Sequence, residues 1–219
     1  MCNRLEAFIY LAVANACLAE AEQQEYTSPI SEEIGKDFIA PVPDGIEADE
    51  DGKEGHQTIE LAAIASFFEH IAQHSDETTV YENTIGMTLH GIDAVAVDKE
   101  GTYTVYEIKG TTRPLKKAES YLKKTKNKGR QLSWEWCWMS LVDMAEFPYS
   151  APIFLELYKP LIRQQIRRKL VVVECKRCED GSYMGEKVHI FDAKELDIEE
   201  KNNLENPRHM LDELEQAHA

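Results

Sequence analysis

The chain has 219 residues, of which 43% are hydrophobic, enough to form one substantial core and to exclude a largely disordered protein. Its formal net charge of −16 is unusual for a protein that binds nucleic acid, so the distribution of charge along the chain matters. Its five cysteines are too few and too scattered for a disulfide framework, which favours a reducing compartment.

The first predicted element is an apolar run at residues 7–18. It is too short to span a bilayer, acidic residues flank it, and it lacks the basic cluster of a signal peptide. Its apolar residues recur at helical spacing, so we predict an N-terminal helix over 1–22 that docks on the body of the protein, without membrane association. An acidic linker follows over 23–55, containing proline, glycine and little periodicity.

The middle of the chain alternates between helical and strand patterns. The predicted elements are a helix at 58–74, a short strand at 78–84, a β-hairpin formed by IDAVAV and YTVYEIK, a polar loop at 111–131 with a short helix, an aromatic-rich helix at 132–147, a helical segment at 152–170 broken near Pro160, paired strands at 169–178 and 187–193, and an acidic helical tail at 193–219. This order predicts an α/β fold, a central mixed β-sheet flanked by helices, in a domain spanning 56–192.

Three residues on the predicted hairpin form the most informative pattern. Asp93 lies near the start of its first strand, and Glu107 and Lys109 lie on its second. Strand alternation places Glu107 and Lys109 on one face, while Ile108 points to the opposite face. The hairpin folds Asp93 back towards Glu107.

Two carboxylates that converge at one point repel each other unless a cation lies between them. A hard divalent ion such as Mg²⁺ (or Mn²⁺) prefers oxygen ligands and can lower the pKa of a bound water. Lys109 beside it would orient the attacking water or stabilise charge on a pentacoordinate phosphate. The pattern therefore predicts metal-dependent phosphodiester hydrolysis.

The spacing of Asp93, thirteen intervening residues and Glu107-Ile108-Lys109 resembles the PD-(D/E)xK nuclease superfamily. A second segment, SYLKKTKNKGRQLSWEW at 120–136, is similar to the K-T-K-x-x-G-R-Q-[LM]-S-x-x-W segment of bacterial polymorphic-toxin nucleases, including PoNe-type DNase effectors. The resemblance covers about residues 56–192. It implies a restriction-endonuclease-like core.

The same resemblance implies further site residues. It places Gln131 in the active site and a further metal-binding acid on the upstream helix, for which Glu60 is a better candidate than Glu69. Ser133 is a candidate cap for the helix that begins near Trp134, and the polarised start of that helix is a natural phosphate site.

The charge reverses sign next to the proposed catalytic lysine. Residues 109–130 carry a net charge of +8, whereas residues 1–60 carry −11 and residues 192–219 carry −6. Phosphate backbones attract basic clusters of this kind, whereas the alternative is a solvated lysine-rich face. The position next to the carboxylates favours the first interpretation, and we predict that nucleic acid contacts Lys124, Lys126, Arg130 and Ser133. A second basic cluster lies at 163–169. The acidic ends are candidates to fold over the +8 stretch and compete with nucleic acid.

Weaker signals leave alternatives open. Cys175 and Cys178 supply half of a zinc site, with His189 and Cys137 as distant partners, but two reduced cysteines on a hairpin are the simpler interpretation. Three tryptophans at 134, 136 and 138 favour core packing over base stacking. His90 is as compatible with a structural role as with a place near the site.

Taken together, the residues and the resemblance predict a Mg²⁺-dependent DNA endonuclease, implied by the resemblance to be an antibacterial toxin with a cognate immunity protein. Such a protein would be cytoplasmic in the producing cell and delivered into the cytoplasm of a target bacterium. The alternatives are an RNase of the tRNA-cleaving kind on the same fold, and a catalytically silent nuclease-like binding module. The sequence leaves the oligomeric state open.

Overall fold

In a computed structural model of the chain, the described residues are 54–82, 91–126, 128–145, 151–200, 204–205, 207–209 and 212. The predicted helix at 1–22, nearly all of the predicted linker, and His90 lie outside these ranges.

The described helices are α1 (Glu54–His74), α2 (Trp134–Met144) and α3 (Ala151–Ile162). The strands are β1 (Thr78–Glu82), β2 (Ala94–Val97), β3 (Tyr103–Thr111), β4 (Lys124–Thr125), β5 (Gly129–Arg130), β6 (Arg167–Arg177) and β7 (Tyr183–Asp192). Short 3-10 helices cover Ala118–Tyr121 and Ala193–Glu195.

Five strands form one mixed sheet in the order β1-β2-β3-β6-β7. β3 and β6 are parallel neighbours, and the other pairs in this sheet are antiparallel. The short strands β4 and β5 pair separately in the loop that follows β3. The predicted hairpin, β2 and β3, and the predicted pair of later strands, β6 and β7, are therefore confirmed, as is the mixed α/β class.

Both faces of the sheet are covered by helices. On one face α1 packs against β3, with the rings of Phe67 and Tyr106 4.7 Å apart. On the other face α2 and α3 contribute Trp136 and Leu157 to a core that includes Leu170 of β6. A strand covered on both faces needs a continuous apolar run, and β6 has one at residues 170–173.

Glycines at two positions let α1 approach the sheet closely. A Cβ on Gly110 would lie 2.6 Å from the carbonyl oxygen of Ile59, and a Cβ on Gly185 would collide with Ser66. Neither position tolerates a larger residue without movement of the helix. The close approach at Gly110 brings the beginning of α1 to the end of β3, beside Lys109.

Several predicted boundaries need correction. The helical segment predicted for 152–170 ends at Ile162, and Arg167 already begins β6. Pro160 lies inside α3 without ending it, whereas Gln164 adopts a left-handed conformation, with φ 56°, that ends the helical path. The β-branched run that follows is recruited into the sheet between β3 and β7.

Two further boundaries differ. Helix α1 begins at Glu54, inside the predicted linker. In the predicted helical tail, residues 197–200 are neither helix nor strand. No helix of the described residues combines the length and the apolar character needed to cross a membrane.

Candidate active site

Asp93 immediately precedes β2, and its side chain accepts a hydrogen bond from the backbone of the neighbouring strand β3. Ala94, the first residue of β2, pairs with Tyr106, so Asp93, one residue earlier, lies beside Glu107. Its Oδ2 accepts a hydrogen bond of 2.7 Å from the backbone N–H of Ile108. The carboxylate is thereby held at the edge between β2 and β3, as the hairpin prediction requires.

Glu107 and Lys109 project from the same face of β3, and Ile108 is buried against α1 on the other face. The Lys109 ammonium forms an ion pair with Oε1 of Glu107 and lies 3.9 Å from Oε1 of Glu60. Glu60 is half exposed and reaches the site because α1 crosses β3 at Gly110. The structure thus brings together the three residues predicted on the hairpin and the acid predicted on the helix.

Gln131 connects the loop after β3 to the carboxylate. Its Nε2 donates a hydrogen bond of 2.5 Å to Oε1 of Glu107, and its Oε1 accepts one of 2.8 Å from the backbone N–H of Lys123. The next residue, Leu132, is fully buried with φ 63°, a left-handed conformation that is rare for leucine. This turn directs Gln131 towards the sheet and leads directly into helix α2.

The two site carboxyls are placed where ionisation is unfavourable. Burial is the main cause that raises the pKa of Glu107, to about 8, and the neighbouring charge of Asp93 raises it further against the opposing effect of Lys109. Burial likewise raises the pKa of Asp93 to about 6, although Lys109 and the Ile108 N–H favour its charged form. Additional positive charge at this point would therefore stabilise both carboxylates.

Lys109 remains a cation at neutral pH. Burial lowers the pKa of its ammonium, but the charges of Glu107 and Asp93 outweigh this effect and raise the pKa above its usual value. The side chain can therefore donate hydrogen bonds and supply positive charge, but it cannot accept a proton.

The donor set fits a divalent cation that keeps part of its water shell. Oε2 of Glu107 is buried and has no hydrogen-bond partner among the described residues, although it belongs to a carboxyl group beside that of Asp93. Mg²⁺ is commonly bound through one or two carboxylates together with waters and substrate phosphate oxygens. Within the described residues no three His, Cys, Asp or Glu side chains are gathered tightly enough to hold an ion by themselves.

The residues predicted to contact nucleic acid differ in their exposure. Lys124 and Lys126 are exposed, and Lys124 lies 3.4 Å from Glu199. Arg130 is partly buried and donates a hydrogen bond of 2.5 Å to the backbone carbonyl of Glu119. Ser133 is 1% exposed and caps α2, as predicted, because its hydroxyl accepts the N–H of Trp136 at 3.1 Å. Its hydroxyl is thus occupied within the helix cap.

Sequence reasoning missed the partners of α2's first turn. Arg168 on β6 is 6% exposed and donates a hydrogen bond of 2.5 Å to the carbonyl of Leu132, the residue after Gln131. Glu200 accepts hydrogen bonds from both Arg168 and the backbone N–H of Trp134. The basic cluster at 163–169 indicated Arg168, but its pairing depends on the beginning of β6, which the prediction had assigned to the preceding helical segment.

The remaining candidates lie away from these contacts. Glu69 accepts a hydrogen bond from Gln73 on the exposed side of α1. Cys175 is a buried free thiol against α1, Cys178 is a partly exposed free thiol, and His189 is hydrogen-bonded at 2.7 Å to Glu174. Of the three tryptophans, Trp136 is fully buried, and those at 134 and 138 pack partly buried against the same core.

Comparisons of the chain with family models, with curated proteins and with solved structures found no match.

Proposed function

We propose that the chain is a Mg²⁺-dependent endonuclease with a restriction-endonuclease-like core that hydrolyses the phosphodiester bonds of DNA. The observation that carries this proposal is the buried Oε2 of Glu107, which has no hydrogen-bond partner among the described residues, in a carboxyl group whose Oε1 pairs with the Lys109 ammonium and on which the charge of Asp93 acts. An unpaired carboxylate oxygen in the interior is costly, and a cation site explains why it is retained.

The core assignment is supported by the position of the acids in the sheet. They lie on an antiparallel hairpin whose second strand is the centre of a mixed five-stranded sheet with helices on both faces. The resemblance of the sequence to the PD-(D/E)xK superfamily concerns the same residues.

Asp93 and Glu107 would hold the cation, with Glu60 as the third acid at the helix side of the site. A cation held there would supply positive charge to the phosphate and would make a water more acidic for attack. Lys109, held as a cation, donates to a non-bridging phosphate oxygen and stabilises the negative charge that develops there. Gln131 keeps the Glu107 carboxylate in one orientation.

The decisive experiment is plasmid cleavage in Mg²⁺, with and without EDTA. Asp93→Asn, Glu107→Gln and Lys109→Met should each lower the cleavage rate by at least about 100-fold, since each removes a charge that acts on the transition state. Each variant should keep the far-ultraviolet circular dichroism of the parent. Cleavage at the parental rate by all three variants, or full activity in EDTA, would refute the proposal.

Glu60 has a matched control on its own helix. Glu60→Gln should lower the cleavage rate, whereas Glu69→Gln, the same change on the exposed side of α1, should leave the rate unchanged. An equal effect of the two substitutions would remove Glu60 from the site.

The nucleic acid itself is tested by offering plasmid and total RNA side by side. Preferential degradation of plasmid supports DNA as the substrate. Preferential degradation of RNA would show that the same catalytic residues act on RNA instead.

The toxin role, proposed from the resemblance, predicts that expression of the parent chain inside a bacterial host arrests growth and that expression of the Glu107→Gln variant does not.

A further inference from the structure

A short acidic segment lies against the basic surface beside the candidate active site. We call residues 196–200 the acidic strap. Leu196 and Ile198 pack against the main core, and the acidic residues that alternate with them are exposed or form ion pairs: Asp197, Glu199 and Glu200. The strap is thus anchored by its apolar residues and presents its carboxylates to the neighbouring surface.

Glu200 makes the most specific contacts of the strap. Its Oε2 accepts the backbone N–H of Trp134 at 3.0 Å, in the first turn of α2, and its Oε1 lies 2.7 Å from Nη1 of Arg168. The Arg168 guanidinium also stacks over the Trp134 ring, 3.7 Å from its centre. A buried guanidinium and a helix N–H that converge on one carboxylate form a complete anion-binding arrangement.

The other strap acids meet the +8 stretch. Glu199 lies 3.4 Å from the Lys124 ammonium, and both side chains are 64% exposed. The pKa of Lys117 is raised mainly by Glu119 and in addition by the charge of Asp197. The strap therefore faces Lys117 and Lys124, which precede Gln131 in the sequence, and Arg168, which follows it.

This surface is connected to the candidate active site through two backbone links. Arg168 donates to the carbonyl of Leu132, which follows Gln131, and Lys124 follows Lys123, whose N–H donates to Gln131. Gln131 in turn contacts Glu107. Arg168 and Lys124 are therefore each linked to Glu107 through Gln131 and the residues next to it.

We propose that Arg168, the Trp134 N–H and Lys124 form a phosphate-binding surface for the nucleic acid backbone, and that the acidic strap covers this surface until nucleic acid displaces its carboxylates. The proposal rests on the proposed nuclease function for the identity of the ligand. Phosphate oxygens take the places of the Glu200 and Glu199 oxygens, and the strap backbone stays anchored by Leu196 and Ile198. The strap makes binding weaker at a given salt concentration and thereby restrains cleavage.

The contacts of the strap are suited to displacement. An exposed ion pair such as that of Glu199 and Lys124 contributes about 0–1 kcal/mol to stability, so it yields readily to a polyanion. A DNA backbone offers successive phosphates and releases counterions when it binds, which two side-chain carboxylates cannot match.

The test measures binding of a fluorescein-labelled 20-base-pair duplex by anisotropy, in EDTA so that no cleavage occurs. The variant is Glu199→Gln with Glu200→Gln, which removes both carboxylate charges, while the single amide oxygen at position 200 can still accept one of the two hydrogen bonds from Trp134 and Arg168. The control is Glu179→Gln with Glu186→Gln, two exposed acids at the β6–β7 hairpin that give the same change in net charge. The strap variant should bind about 5- to 10-fold more tightly than the control at low salt, with a steeper salt dependence.

A further substitution, Lys124→Gln in the strap variant, should remove part of the gain because it deletes one of the uncovered phosphate contacts. If the double strap variant fails to fold, Glu199→Gln alone, at an exposed pair, is compared with Glu186→Gln. Equal affinities of strap and control variants would overturn the proposal and leave the strap as a structural closure of α2.

Plasmid cleavage by the same preparations in Mg²⁺ tests the nuclease function separately. If the parent cleaves plasmid but the strap and control variants bind duplex equally well, only the proposal that the strap covers a phosphate-binding surface is overturned. A strap variant that binds duplex more tightly than its control, from a parent that does not cleave, supports the covered phosphate surface and refutes the nuclease.

Discussion

Strand β3 takes part in two buried carboxylate clusters that differ in one decisive respect. At its beginning, Glu77 from the α1–β1 connection lies against Thr104 and Tyr106; towards its end, Glu107 lies against Asp93 and Lys109. Both acids are largely buried, and both have a lysine nearby. Burial and charge alone would not separate a structural acid from the acid that we propose to be catalytic.

Hydrogen bonding separates them. Glu77 has partners for both oxygens, because Thr104 donates to Oε1 at 2.8 Å, Tyr106 donates to Oε2, and Lys169 lies 3.6 Å from Oε1. Glu107 receives Gln131 and Lys109 on Oε1, and its Oε2 has no hydrogen-bond partner in the part of the chain that the structure describes. The acceptors of Glu77 are thus occupied within the fold, whereas Glu107 keeps an acceptor that a ligand could use.

The largest difference between the clusters should be in catalysis. Gln131→Ala should lower kcat for plasmid cleavage by about 10- to 100-fold, since loss of the group that orients a metal-binding carboxylate typically costs that much. The Mg²⁺ concentration needed for half-maximal activity should rise, while KM for DNA stays constant. Glu77→Gln should leave all three quantities unchanged, and equal losses in the two variants would contradict the distinction.

The next largest effect should be on the free energy of unfolding, and it should arise in the Glu77 cluster. Glu77→Ala should lower the free energy of unfolding in urea by about 1–3 kcal/mol, because the Tyr106 and Thr104 hydroxyls lose their acceptor. Adding Tyr106→Phe to that variant should recover part of the loss by removing one orphaned donor. A urea midpoint for Glu77→Ala equal to that of the parent would show that the cluster contributes no stability.

The smallest effect concerns pH in the absence of metal. Burial, followed by the charge of Asp93, raises the pKa of Glu107 from 4.5 to about 8 in the folded state, so folding favours its protonated form. The stabilisation is complete below the unfolded pKa and is lost as pH rises through the folded pKa. In EDTA, the parent's Tm should therefore fall more steeply than that of Glu107→Gln between pH 5 and about pH 8.5.

Mn²⁺ should reduce that fall, because a cation stabilises the ionised carboxylate. Parallel pH profiles of the parent and Glu107→Gln in EDTA would contradict the link between the open acceptor and the raised pKa.

Local periodicity in the sequence was sufficient to predict the strands that form the sheet and the positions of part of the candidate site. Alternation predicts that Glu107 and Lys109 share a face of β3, and the turn at 98–101 predicts that β2 folds back and brings Asp93 alongside. These features depend on residues a few positions apart within one hairpin. The capping role of Ser133 is local in the same way and was also predicted.

The tertiary structure decided what depends on contacts between distant segments. Glu60 approaches Lys109 because Gly110 admits α1, and Gln131 reaches Glu107 because Leu132 adopts a left-handed conformation that no sequence pattern announces. The end of α3 was wrongly predicted, since residues 167–170 belong to β6, where they pair with β3 and, from Lys169 onward, also with β7.

The acidic strap shows the same division. Its charge, and the possibility that it covers the basic stretch, could be read from the sequence. Its partners, Arg168 and the N–H of Trp134, depend on the packing of β6 beneath α2. Side-chain alternation is a property of the local backbone, but the pairing of a carboxylate with a particular cation requires the long-range packing of the chain.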